Sequence, residues 1–165
     1  MNKDKQHSSN SSNKSKLEEA VDKTPEVKGH YENGLGAIES RYKGSITSSK
    51  GNSFTGSVDI DKATRKLYPE DNRWDYAIEF KSCTYFVEFH PADTSEVSKI
   101  LQKLDWLKNW LKNKAPLINS LKPQNKNPYH WIFTGGNHIA RTSKYWKRLS
   151  LANLLPVKKL DIDKI

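Results

Sequence analysis

The sequence predicts an α/β domain with a mixed central sheet, built on an antiparallel hairpin and flanked by helices. Three observations carry that prediction. DYAIEFK and CTYFVEFH place Tyr76, Ile78, Phe80 and Tyr85, Val87, Phe89 at every second position, the period of a half-buried strand. Directly after them, Val97, Ile100, Leu101, Leu104, Leu107 and Leu111 recur at helical spacing and form one apolar stripe. YHWIFTGG then reads as a third strand closed by glycines.

The remaining elements follow in chain order. Residues 1–16, Ser, Asn and Lys with a single apolar side chain, cannot bury enough surface to offset chain entropy and read as a disordered tail. Residues 17–165 read as a single α/β domain, the size that 165 residues allow. LEEAVDK gives a short helical turn, and LGAIESRY a helix with Leu35, Ile38 and Tyr42 on one side. The Gly/Ser/Thr/Lys/Asn run at 44–57 breaks regular structure. DKATRKLY forms a short helix capped by Asp59 or Asp61 and ended by Pro69. Asp93 and Glu96 have the spacing of a capping box for the striped helix, which runs to about Lys112. APLINSLKPQNKNP is a connection, TSKYWKRLSLANLL a second basic helix, and VKKLDI an edge strand.

Hairpin register decides what the polar positions do. Keeping both apolar sets on one face requires paired residue numbers to have an odd sum, because a one-residue slip turns a strand over. A tight turn at Ser82 and Cys83 gives a sum of 165 and sets Asp75 opposite His90, with Glu88 opposite Ala77, a diagonal step from Asp75. Two carboxylates and an imidazole then share one polar patch, with Glu79 further along the same face. Such carboxylates offer hard oxygen ligands for Mg²⁺ or Mn²⁺, and His90 can act as ligand, base or phosphate contact. The plainer reading is a cross-strand Asp75–His90 pair beside a solvated Glu88.

The order helix, strand, strand, helix, strand, with an acid entering one strand and Glu-x-basic on the next, resembles the PD-(D/E)XK nuclease superfamily and its restriction-endonuclease-like core. The resemblance spans roughly residues 30–135. Asp75 matches the first acid, and Glu88, Phe89 and His90 match the D/E-x-K element. It implies catalytic roles for Asp75, Glu88 and His90, and a metal held by Asp75, Glu88 and the backbone carbonyl of Phe89, with Glu39 as the acid that joins from the preceding helix. Two positions depart from the pattern. His90 stands where the family carries Lys, and Arg73 and Trp74 precede Asp75 where the family has Pro. Lys81 shares the face but lies six residues along, about 20 Å away, too far to replace that Lys. RWDYAIEF, FVEFHPADTSEV and LDWLKNWL also resemble a group of uncharacterised bacterial proteins.

Charge adds a partner class. The net charge is +9, and residues 95–150 alone carry 11 basic and 2 acidic side chains, directly after a net acidic segment. DNA or RNA is the expected partner, contacted by Lys99, Lys103, Lys108, Arg141 and Lys144. Trp106 and Trp110, one helical turn apart, either stack on bases or pack under neighbouring loops. TGGNH offers either backbone amides to a phosphate or a plain turn. Apolar runs of about three residues exclude a membrane-spanning helix, and the polar start of the chain lacks a secretory segment, so a soluble cytoplasmic protein is expected. The lone Cys83 forms no internal disulfide. The functional expectation is therefore a divalent-metal-dependent nuclease cleaving phosphodiester bonds. The alternative is a catalytically inactive, nuclease-like module that binds nucleic acid or a protein partner, as a homodimer or within a larger assembly.

Overall fold

A computed structural model describes residues 13–165. The expected tail falls largely outside them, but its last residues belong to the fold: Ser15 accepts a hydrogen bond from the Glu18 amide and caps helix α1, Lys16–Asp22. The central sheet has five strands in the order β1 (Tyr31–Asn33), β3 (Gly56–Asp59), β4 (Tyr76–Phe80), β5 (Cys83–Ala92) and β6 (Tyr129–Asn137). Every neighbouring pair is antiparallel except β5 and β6, which run parallel. A parallel pair needs a crossover, and α4 (Val97–Asn113) and α5 (Pro116–Ser120) supply it. Strands β2 (Ile46–Thr47) and β7 (Leu160–Asp161) make a separate parallel pair.

Both faces of the sheet are covered. On one, Ala77, Phe86 and Trp131 pack against α1, α4, α5 and α6 (Lys144–Leu151). On the other, Tyr76, Ile78, Phe80, Tyr85, Val87 and Phe89 pack against Ile38, Ile46, Leu160 and Ile162. The hairpin face expected to be polar and solvated is therefore the face under the main helical layer, and Glu79 and Glu88 on it are buried.

Several boundaries differ from expectation. LGAIESRY contributes only α2, Ser40–Lys43, because Leu35, Gly36 and Ile38 take part in tight turns that follow Gly34 at φ +57°. The 44–57 run contains β2 and the start of β3: small residues suit a place where Gly56 lies against the Tyr31 ring. The capping box does not form. Asp93 pairs with His138 and Glu96 with His90, leaving a single 3-10 turn, Thr94–Glu96, ahead of α4. α5 lies within the stretch expected to be a connection, with Pro116 in its first turn. Asp59 caps α3, Ile60–Thr64, through the Lys62 amide.

Candidate active site

Register again sets the site. Strands β4 and β5 pair with a sum of 163, Tyr76 against Val87 and Phe80 against Cys83, so the turn falls at Lys81 and Ser82 rather than at Ser82 and Cys83. Both turn residues have positive φ, 48° and 62°, the backbone of a type I′ hairpin turn. The odd parity survives, so the two apolar sets still share a face. The sum of 165 is corrected by two, and Asp75, one step beyond β4, now stands against Glu88 instead of His90.

At that point side chains continue the ladder that the backbone leaves. The Asp75 amide donates to Glu88 Oε2 at 3.0 Å, and the Phe89 amide donates to Asp75 Oδ2 at 3.0 Å. Each carboxylate thus spends one oxygen on the other strand's backbone. The two remaining oxygens, Asp75 Oδ1 and Glu88 Oε1, both meet the ammonium of Lys103, at 3.3 Å from Asp75 and in close contact with Glu88. Glu88 is 0% exposed.

No family model, curated protein or solved structure matches this chain. The chemistry of the cluster must therefore be read from its geometry and electrostatics.

The cluster gathers two carboxyl groups and one ammonium, with Glu88 and Lys103 buried and Asp75 half-buried. Burial pushes the Glu88 carboxyl well above the ordinary range, and the neighbouring Asp75 charge pushes the same way. Asp75 is also raised by burial, against the pull of Lys103 and the Phe89 amide. For Lys103 burial works against the charged form, yet the two carboxylates outweigh it and its pKa is raised, so it is an ammonium at neutral pH.

His90 sits beside the cluster rather than opposite Asp75. Its Nε2 lies 2.5 Å from Glu96 and its Nδ1 3.8 Å from Glu88 Oε1, while its carbonyl accepts a hydrogen bond from the Trp131 indole. Outside the cluster, Asp75 and Phe89 open onto a cleft of about 200 Å³ that Glu39, Asp59 and Asp61 also line. Glu39 thereby shares the cleft with Asp75. Burial raises the Asp59 carboxyl as well. Among the described residues, no three His, Cys, Asp or Glu side chains converge closely enough to enclose a metal on their own. Asp75 and Glu88 bring two hard carboxylate oxygens to one point, the donor type that Mg²⁺ or Mn²⁺ prefers.

The expected phosphate contacts separate. Lys99, Lys108, Arg141 and Lys144 are exposed, whereas Lys103 is buried at the carboxylates. Sequence reasoning put Lys103 on phosphate, although its place was legible. It lies three residues after Ile100 and four before Leu107, within the apolar stripe, where a lysine needs a buried partner. Trp106 and Trp110 pack rather than project: they stack at 5.9 Å, and their indoles donate to Asp71 and Glu26. TGGN is the end of β6, not a turn. No helix among the described residues is long and apolar enough to cross a membrane.

Proposed function

We propose that the chain is a divalent-metal-dependent phosphodiesterase acting on nucleic acid, with a restriction-endonuclease-like core. The observation that carries this reading is the paired clamp of Asp75 and Glu88, which commits one oxygen of each carboxylate to an amide and turns the other toward a shared cation. The topology is compatible with it: β1, β3, β4 and β5 are antiparallel neighbours, α4 and α5 cross over, and β6 runs parallel to β5, with Asp75 just before β4 and Glu88 on β5.

In this reading Asp75, Glu88 and the Phe89 carbonyl would hold Mg²⁺ or Mn²⁺. Such an ion, when bound, polarises a phosphodiester and lowers the pKa of its water. Lys103 supplies the permanent cation that His90 cannot, entering from α4 instead of from β5. A metal on the carboxylates would free the Lys103 ammonium to offset negative charge developing on a phosphate. Glu96 orients the His90 ring, and His90 buttresses Glu88.

One observation favours the catalytically inactive module: Lys103 already bridges both carboxylates, as a structural ion pair would. Cleavage of single-stranded and duplex DNA and RNA with Mg²⁺ or Mn²⁺ separates the two. The nuclease reading expects metal-dependent cleavage that Glu88→Gln abolishes while the variant stays folded. Absence of cleavage on every substrate, with no metal-dependent shift in melting temperature, establishes the inactive module.

A further inference from the structure

Beside the acidic cleft lies a second one of opposite charge. It encloses about 480 Å³, and Arg41, Lys158 and Lys159 line it with no carboxylate among its walls. The two clefts share Tyr42 and Phe89, whose rings stack at 4.3 Å and 8° and form the partition between them. Arg41 lies over the Tyr42 ring, 4.6 Å from its centroid. Among the described residues Lys158 and Lys159 form no ion pair, and Arg41 has only an exposed one with Glu39 at 2.8 Å, a contact that holds it weakly.

The fold explains why the cleft opens here. β5 and β6 run parallel, and their ladder shifts register between Pro91 and Ala92: Pro91 faces Thr134, but Ala92 faces Asn137. Gly135 and Gly136 bulge out of the ladder, and Gly135 adopts φ +71°, where a side chain would be strained. Carboxyl ends of parallel strands are recurrent ligand sites because helices and loops leave a crevice there.

We infer that the Arg41–Lys158–Lys159 cleft binds a phosphate of the nucleic-acid strand next to the phosphate that meets Asp75 and Glu88. The inference rests on the reading of those two carboxylates as the reacting centre. An acidic cleft repels a polyanion until a metal reverses its sign, so the strand needs an adjoining cationic hold. This cleft adjoins the one that Asp75 lines, one aromatic stack away. Glu88 itself lies beneath α4 on the other face of the sheet, so Asp75, at the start of β4, is the carboxylate that faces the acidic cleft and, across the Tyr42–Phe89 stack, the basic one.

The test is binding of a short fluorescein-labelled oligodeoxynucleotide, single-stranded and duplex, across a salt series by anisotropy. Lys158→Glu/Lys159→Glu is compared with the same charge change at exposed Lys126 and Lys147. Affinity is expected to fall at least about tenfold in the Lys158/Lys159 variant, with a shallower salt dependence by about two phosphate contacts, and to fall clearly less in the Lys126/Lys147 variant. Unchanged melting temperatures show that both variants are folded. Equal losses in the two variants, or no loss at Lys158/Lys159, overturn the cleft. Failure of the chemistry is read separately: if the wild type binds through this cleft but cleaves no nucleic acid with any divalent metal, the nuclease reading falls and the cleft stands.

Discussion

Glu88 and Glu79 project from the same face of one hairpin, both buried, yet their surroundings differ at every polar atom. Glu88 accepts the Asp75 amide and the Lys103 ammonium. Glu79, 2% exposed at the turn-side end of the same strands, has no cation among the described residues, and neither its Oε2 nor the hydroxyl of Thr84, which pairs with it across the ladder, finds a hydrogen-bond partner among them. A buried carboxylate is costly without compensation. At one end of the hairpin the fold brings a lysine through the apolar stripe of a helix to compensate it, and at the other it brings nothing. That asymmetry makes the Asp75–Glu88 end the place where buried charge is compensated.

The comparison breaks most sharply at Lys103. Lys103→Met leaves two buried carboxylates without a cation and is expected to lower the unfolding free energy by about 3–5 kcal/mol, read by urea denaturation. Millimolar Mg²⁺ should recover part of that loss if the carboxylates bind a metal. A loss below about 1 kcal/mol would mean that the ion pair contributes little.

A smaller effect is expected with pH. The folded-state pKa of Glu88 lies above its ordinary value of 4.5, so folding favours the protonated form. Its contribution to stability is full below the ordinary value and is lost as pH rises through the higher folded-state value. The melting temperature should therefore decline as pH rises above the ordinary carboxyl value. Asp75 is shifted the same way and remains in Glu88→Gln, so that variant should show a shallower decline rather than none. Equal slopes would remove Glu88 as the source.

The smallest change belongs to the other end. Glu79→Met removes an unpartnered oxygen and should leave stability unchanged or raise it, within about 1 kcal/mol, with no effect on any metal response. A destabilisation comparable to that of Lys103→Met would erase the contrast.

How much of this was legible in the sequence depends on the kind of signal. Alternation in DYAIEFK and CTYFVEFH defined both strands and the odd parity, since the Tyr76 and Tyr85 sets must share a face. The exact pairing was not legible, because the turn places Lys81 and Ser82 at positive φ, where sequence usually signals with Asn or Gly. Two units in that sum exchange Asp75's neighbour from His90 to Glu88. Period two also misjudged the second face: Ala77 and Phe86 were too few to announce the helical layer that covers them. Strands β1 and β3 escaped notice for being short and, in GSVD, rich in small residues. Lys103 was hidden by its charge, which fitted the surrounding basic run, while its spacing from Ile100 and Leu107 spoke for burial.

The central claim is that the two oxygens holding Lys103 form a divalent-cation site. Titration of Mn²⁺ into the protein, followed by the loss of its free electron paramagnetic resonance signal, tests this directly. One Mn²⁺ should bind per chain, more tightly as pH rises and Glu88 loses its proton, and Glu88→Gln should abolish that binding while the variant remains folded. Failure of the wild type to bind Mn²⁺, or undiminished binding by Glu88→Gln, would contradict it.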